Sequence, residues 1–256
     1  MLRVTIARFK QGHRTIPYPA EAPTLPERFR GLPVLDLAKC PADCRACAES
    51  CPTDAIRRAD TGLRLDLGRC LFCTDCQAAC PTGAIRYTQD YRLAARSRQD
   101  LVLEGQTLPL AAALDEQARR LFGRSLKLRQ VSAAGCNACE ADLNVLSTVV
   151  FDLSRFGIQF VASPRHADGV VVTGPVSENM RTALLETYAA VPAPKLVIAV
   201  GACAISGGPY VGNPEVHNGC GALLPVDLMV PGCPPHPLTI LDGLLRLLGQ
   251  IAEEQR

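Results

Sequence analysis

The sequence predicts an α/β chain in two parts, a small cysteine-rich unit followed by a larger unit built on a parallel sheet. Three observations predict it. Eight cysteines fall between residues 40 and 80, in two related blocks. From residue 129 onward, short β-branched apolar runs alternate with helical patterns, which indicates a parallel sheet covered on both faces. Between these regions, residues 89–128 are charged and rich in alanine and leucine.

The elements follow in order. "MLRVTIARF" alternates apolar and polar residues at Leu2, Val4 and Ile6, the pattern of a half-buried strand. "KQGH" supplies a turn and "RTIPY" a return strand, so an N-terminal hairpin is expected within a first unit spanning 1–88. The stretch to Pro33 holds too many prolines for a helix. Residues 89–128 read as a helical linker, with amphipathic segments from Arg92 to Asp100 and from Leu110 to Phe122, and Gly105 and Pro109 between them. In the second unit, 129–256, the strands are "GIQFVA", "GVVVTGP", "KLVIAVGAC" and "VDLMVPGC", and the helical patterns cover 138–156, 177–190 and 238–253. Two strands run into Gly201-Ala202-Cys203 and Gly232-Cys233. Ligands of open α/β sheets sit beyond the carboxyl ends of the strands, so these cysteines stand where a ligand is expected.

Composition excludes several functions. A net charge of +2 over 256 residues is too small to argue for nucleic acid or an anionic membrane surface. No secretory or twin-arginine leader opens the chain, so a cytoplasmic location is expected. In a reducing compartment the thirteen cysteines suit metal binding better than disulfides. No apolar run reaches the ~18 residues of a membrane span, so any membrane association is expected to pass through partner subunits.

The first cysteine blocks are "CPADCRACAESCP" and "CLFCTDCQAACP". Shifted by 29 residues, Cys44, Cys47 and Cys51 fall on Cys73, Cys76 and Cys80, and "CPTDAI" falls on "CPTGAI". The second block is C-x2-C-x2-C-x3-C-P, the bacterial ferredoxin run, in which three cysteines hold one [4Fe–4S] cluster and the fourth ligates the other. Cys40, Cys44, Cys47 and Cys80 are therefore expected to hold one cluster, and Cys70, Cys73, Cys76 and Cys51 the other. One extra residue between Cys40 and Cys44 widens the first loop. Zinc is the competing reading, but structural zinc sites use C-x2-C pairs set well apart. Residues 36–88 thus resemble two-cluster bacterial ferredoxins, which implies a ferredoxin-like two-[4Fe–4S] N-terminal domain.

Cys136, Cys139, Cys203 and Cys233 form a second set, with separations of 3, 64 and 30 residues. "GCNACE", "VVVTGPV", "VIAVGACAISGG" and "LPVDLMVPGCPPHP", in that order, resemble the small electron-transfer subunit shared by [NiFe]-hydrogenases and respiratory complex I, over about residues 123–250. The resemblance implies a flavodoxin-like parallel-sheet domain whose four cysteines ligate one [4Fe–4S] cluster, beside an active site in a separate large subunit. Complex I chains of this type carry two adjacent cysteines at the first position. Here Asn137 and Ala138 separate them, which favours the energy-converting hydrogenases, formate hydrogenlyase included. "RFRGLP" before "KCPADC" resembles their separate ferredoxin-type subunit, so the chain resembles a fusion of two neighbouring subunits. It implies three [4Fe–4S] clusters relaying electrons to or from a hydrogenase-like large subunit, with membrane ion-pumping subunits and a redox donor protein as further partners, at the inner membrane periphery. The alternative is the relay of a complex I-like quinone-reducing module.

The remaining candidates carry less. Cys220 in "HNGCGA" reads as a packed thiol or as a ligand competing with Cys203. The strand–Gly–x–Cys context of Cys203 favours the first. Glu140 is expected in the first turn of a helix, placed for the helix dipole or as a proton-relay carboxylate. Gly135, Gly201 and Gly232 adjoin candidate ligands and give the backbone room. His166, His217 and His236 have no partners at metal or catalytic spacing. Neither a G-x-S-x-G elbow nor a nucleotide loop is present, and no catalytic residue is assigned.

Overall fold

The computed structural model describes residues 2–59, 62–105 and 108–251. It opens with helix α1 (Leu2–Gln11), where the alternation predicts a strand. Leu2, Ile6 and Phe9 also stand four and three residues apart, the spacing of one helix face. None of the helix is buried, so there is no sheet face for a strand to cover, and a lone hairpin is marginal in water. The expected return strand over "RTIPY" is absent as well. That segment runs without regular structure, its Ile16 N–H donating to Val150 O at 2.9 Å.

The duplication in sequence is a duplication in structure. Strand β1 (Pro33–Leu35), helix α2 (Ala46–Glu49) and strand β2 (Ile56–Ala59) recur as β3 (Gly62–Asp66), α3 (Asp75–Ala79) and β4 (Ile85–Tyr87). The halves interlock. β1 pairs antiparallel with β4, and β2 with β3, with Ile56 opposite Leu65. Ile56, Leu65 and Ile85 are almost wholly buried, which stabilises by about 1.5–3 kcal/mol for each such side chain. Strand β5 (Val102–Leu103) extends the β2–β3 sheet.

The helix expected from Arg92 to Asp100 does not form. Leu93, Ala94 and Ala95 are consecutive and all buried, which no single helix face accommodates. Leu93 and Ala95 enter one apolar core and Ala94 the other, a period of two. Ala95 exchanges both backbone hydrogen bonds with Met229, at 3.0 and 2.8 Å. The segment is a packed seam, not a helical linker. Helix α4 (Glu116–Phe122) is shorter than expected because Asp115 caps it, accepting from Ala118 N–H at 2.9 Å.

The second unit comprises β6 (Leu126–Ser132), α5 (Ala138–Val145), β7 (Ile158–Phe160), β8 (Gly169–Thr173), α6 (Glu178–Ala190), β9 (Leu196–Val200), α7 (Ala202–Ser206), β10 (Leu228–Val230) and α8 (Pro237–Leu247). Across the sheet the order is β7-β6-β8-β9-β10, all parallel. This is the flavodoxin-like order 2-1-3-4-5, whose ligand crevice opens where strand order reverses, here between β6 and β8. β6 is the strand the sequence reading lacks. It starts inside the region assigned to the linker, and its Lys127 and Arg129 dilute the apolar run.

Alternate strand residues face opposite cores. Val171, Ile198 and Val200 pack with Leu143 of α5 and with α8. Val170, Val172, Val197 and Ala199 pack with Leu184 of α6 and Ala204 of α7, in a core continuous with Ile56, Leu65, Cys70 and Cys76 of the duplicated unit. The two units therefore share a core. No helix among the described residues is long and apolar enough to cross a membrane.

Helix α8 is buried along its whole length, Asp242 and Arg246 included. Arg246 Nε donates to Asp242 Oδ2 at 2.9 Å and Tyr18 Oη to Asp242 Oδ1 at 2.8 Å. This network pins Tyr18 of the N-terminal segment to α8 of the second unit. Asp242→Ala is expected to lower stability by about 3–5 kcal/mol, since it leaves a buried guanidinium without its carboxylate. Urea denaturation followed by circular dichroism reads the change, and an unchanged midpoint would contradict the role assigned to the network.

Candidate metal centres

All thirteen cysteines are free thiols. In the second loop, Phe72 and Thr74 take positive φ values of 54° and 73°, folding Cys70–Cys76 into a tight turn. Phe72 N–H donates to Cys70 Sγ at 3.3 Å. Tyr87 Oη lies 3.6 Å from Cys70 Sγ and 3.7 Å from Cys76 Sγ. Burial, with further contributions from neighbours that include Cys76 and Cys51, pushes the Cys70 thiol up to about 12. Burial also raises Cys73 and Cys76, and Cys51 contributes to both. Cys51, from the other half, thus faces this loop, and Ala55 N–H donates to its Sγ at 3.2 Å.

The first loop shares several of these contacts. Burial raises the Cys47 thiol to about 11, with Cys40, Cys76 and Cys44 adding to it. Cys80 sits as Cys51 does in the other half. Ala84 N–H donates to Cys80 Sγ at 3.2 Å, and Thr82 Oγ1 lies 3.8 Å from that sulfur. Slight burial acts to raise the Cys80 thiol, but the hydrogen bonds from Thr82, Ala84 and Ile85 outweigh it and the net shift is downward. Arg58 Nη1 donates to Cys40 Sγ at 3.8 Å, and to Pro41 O and Cys44 O at 3.2 Å each. It bridges the loop that the extra residue widens.

The third group gathers at the carboxyl end of the parallel sheet. Cys136 and Cys139 follow β6, Cys203 follows β9 and Cys233 follows β10. Burial pushes the Cys139 thiol well above its usual value, with Glu140, Cys203, Cys233 and Cys136 all contributing. Cys203 rises to about 11 from burial, then Cys233 and Cys136. The four sequence-predicted cysteines are thus brought together. Gly201 (φ 91°) leaves room for one of them, since a Cβ there would lie 2.5 Å from Cys139 Sγ. Cys136 and Cys233 are exposed, so the group opens outward. Burial also raises Cys233, with Cys136 next and then Cys73, and Leu71 and Phe72 of the second loop line one cleft with Gly232 and Cys233, so that loop lies beside this group. Arg30, within "RFRGLP", holds that junction by donating to Phe72 O at 2.9 Å.

Cys220 stands apart. It is wholly buried, and burial raises its thiol to about 12 with no other cysteine contributing. Glu140 is buried and accepts from Ser132 Oγ at 2.6 Å and Thr173 Oγ1 at 2.7 Å. Burial acts to raise its carboxyl, but those two hydroxyls outweigh it and hold it below the usual range. His236 caps α8, its Nδ1 accepting from Leu238 N–H at 3.1 Å. His217 pairs with Glu178 at 2.6 Å, and His166 is exposed.

The donor sets fit [4Fe–4S] clusters. Each offers soft thiols, the ligand type that selects iron–sulfur chemistry, and backbone N–H groups already point at Cys51, Cys70 and Cys80 sulfurs. Among the described residues no three His, Cys, Asp or Glu side chains converge tightly enough to grip one metal ion. Sequence reasoning misses Arg58 and Tyr87. The 29-residue shift places the two at equivalent positions, but nothing in the sequence marks them as facing the cysteine loops.

A family model described as NADH ubiquinone oxidoreductase, 20 Kd subunit, matches residues 136–247, and one described as a 4Fe-4S dicluster domain matches 39–84. The chain is 38% identical over 137 residues to the "Probable membrane-bound hydrogenase subunit mbhJ" of Pyrococcus furiosus, covering 54% of this chain and 82% of that protein. It is 40% identical over 143 residues to formate hydrogenlyase subunit 7 of Escherichia coli, covering 56% of each. It is 38% identical over 153 residues to the B-type subunit of the NADH-quinone oxidoreductase of Phocaeicola vulgatus, covering 59% of this chain and 76% of that one. Among solved structures, the membrane-bound sulfane sulfur reductase, an archaeal respiratory membrane complex, has a matching chain at 31% identity and a TM-score of 0.46, covering 54% of this chain and 76% of that one.

Proposed function

The chain belongs to the family of the NADH ubiquinone oxidoreductase 20 kDa subunit and its membrane-bound hydrogenase relatives, and from that premise we propose that it carries electrons through three [4Fe–4S] clusters to or from the large subunit of a membrane-associated hydrogenase. More broadly, it is an iron–sulfur electron-transfer subunit of a membrane complex. Such clusters, when bound, supply one-electron chemistry at potentials set by hydrogen bonds and exposure. Cys40, Cys44, Cys47 and Cys80 would hold the first, Cys51, Cys70, Cys73 and Cys76 the second, and Cys136, Cys139, Cys203 and Cys233 the third. The observation that carries the reading is the contact between groups. Leu71 and Phe72 of the second loop line one cleft with Cys233, which supports a relay running from the second group to the third within one chain.

The residues of this chain hold and shield. The N–H groups of Ala55 and Phe72 donate to Cys51 and Cys70 sulfur, and the Tyr87 hydroxyl stands beside Cys70 and Cys76; toward a bound cluster these donors would stabilise the more negative, reduced state. The exposed rim at Cys136 and Cys233 is where a large subunit would close the third site. C-x-x-C at Cys136 and Cys139 favours a hydrogenase over a quinone reductase. The anaerobically reconstituted protein should hold about twelve irons and twelve sulfides per chain, by Cys₄ ligation of each cluster. Four or fewer irons, or stoichiometric zinc, would refute the reading. Co-purifying the large subunit and testing the complex for H₂-linked against quinone-linked activity separates the two branches.

A further inference from the structure

We propose that the duplicated unit is redox-asymmetric by design, with Arg58 holding the cluster at Cys40, Cys44, Cys47 and Cys80 at a higher potential than Tyr87 gives its counterpart. The proposal rests on the relay reading above. The 29-residue shift carries Arg58 onto Tyr87, the third residues of β2 and β4. Each reaches back to the cysteine loop of its own half. Arg58 donates to Cys40 Sγ and to the carbonyls of Pro41 and Cys44. Tyr87 sits between Cys70 and Cys76. The symmetric position over each site therefore carries a guanidinium on one side and a phenol on the other.

That difference acts on charge. Reduction adds one negative charge to a cluster and its thiolates. A guanidinium is permanently cationic, and its hydrogen bond to sulfur is charge-assisted, so it favours the reduced form more than a neutral hydroxyl does. A guanidinium also stands at the second loop, but Arg30 donates to the carbonyls of Phe72 and Cys73, at 2.9 and 3.4 Å, rather than to a sulfur. Ala55 N–H on Cys51 matches Ala84 N–H on Cys80. Thr53 and Thr82 do not match, because the Thr53 hydroxyl donates to Arg69 O at 2.8 Å, while Thr82 Oγ1 stands 3.8 Å from Cys80 Sγ and adds to the Arg58 side. Each loop also carries one exposed carboxylate, Asp43 or Asp75. Phe72 N–H on Cys70 opposes the trend, but it is a neutral donor. Exposure acts in the same sense as Arg58. Cys40 is half-buried whereas Cys70 is buried, the other equivalent pairs being alike, and solvent stabilises the added charge at Cys40. Because Leu71 and Phe72 of the second loop line one cleft with Cys233, one electron passing from the Tyr87 side to the Arg58 side moves downhill, away from the strand-end site.

Redox titration monitored by electron paramagnetic resonance tests this on the full chain with its clusters assembled, using Arg58→Leu, Arg58→Gln, Arg58→Lys and Tyr87→Phe. Arg58→Leu should lower one midpoint by about 59 mV, a tenfold change in a one-electron equilibrium. Arg58→Gln should lower the same midpoint, Arg58→Lys should retain most of the wild-type value, and Tyr87→Phe should lower a different midpoint by less. If Arg58→Leu does not retain its clusters, Arg58→Gln decides. Unchanged midpoints in a variant with full iron content overturn the proposal, as does Arg58→Leu or Arg58→Gln moving the midpoint that Tyr87→Phe moves. Low iron in the wild-type protein would instead overturn the relay reading itself.

Discussion

A Cys203→Ala variant in the assembled complex is expected to lose electron transfer between the duplicated unit and the large subunit down to background, while both N-terminal clusters stay reducible. Cys203 stands at the start of α7 beside β9, and its thiol senses Cys233 and Cys136. Removing it leaves three thiolates where the third cluster requires four. The loss should exceed the about 10–100-fold that outer-shell changes cost at metal sites. The fold should survive, because the side chain is only partly buried and the α7 core is carried by Ala204 and Ile205. Cys220→Ala is the matched control. Its thiol is buried away from the other cysteines, so the substitution should cost about 1 kcal/mol of packing and leave relay activity in place. Donor-linked activity and cluster spectra of the two variants decide the matter. Loss of the third cluster in Cys220→Ala but not in Cys203→Ala would reverse the ligand assignment at the sheet edge.

The readability of these features from sequence follows from how local their causes are. The cysteine loops are short and their spacing is a local pattern, so the 4Fe-4S dicluster character of residues 39–84 was legible before any fold was known. The strand-end cysteines were legible because Gly201-Ala202-Cys203 and Gly232-Cys233 each end a buried β-branched run. β6 was not, because Lys127 and Arg129 alternate with Leu126 and Leu128 and break the apolar run, and tertiary pairing with β7 and β8 reveals it. The segment Arg92–Asp100 has helical composition, yet its Leu93, Ala94 and Ala95 divide between two cores. Which core claims a residue is a property of the assembled chain. At α1 the conflict was between periods. Leu2 and Ile6 satisfy both a two-residue and a four-residue repeat, and the absence of burial there removes the energetic reason for a strand. Arg58 and Tyr87 carry no recognisable motif. Their equivalence shows only once the two halves are superposed and each strand is folded back on its loop.

The crossing of the two halves makes the second large prediction. In Cys51→Ser the disturbed cluster should be the one held by Cys70, Cys73 and Cys76, although Cys44 and Cys47 are nearer in sequence. The physical reason is that Cys51 follows α2 and precedes β2, and β2 pairs with β3, the strand leading into the Cys70 loop. The same turn directs Ala55 N–H onto the Cys51 sulfur at 3.2 Å, fixing its orientation, and the thiols of Cys70, Cys73 and Cys76 each respond to Cys51. Serine offers a harder, less acidic oxygen in place of a soft thiolate, so that cluster should be lost or strongly altered in its spectrum. The cluster served by Cys80 should persist, because β4 pairs with β1 and carries Cys80 toward the Cys40 loop independently. Electron paramagnetic resonance on Cys51→Ser and Cys44→Ser in parallel provides the test. Two different signals should be affected. If both substitutions erase the same signal, each half holds its own cluster, and the interlocked sheet must have a purpose other than exchanging ligands.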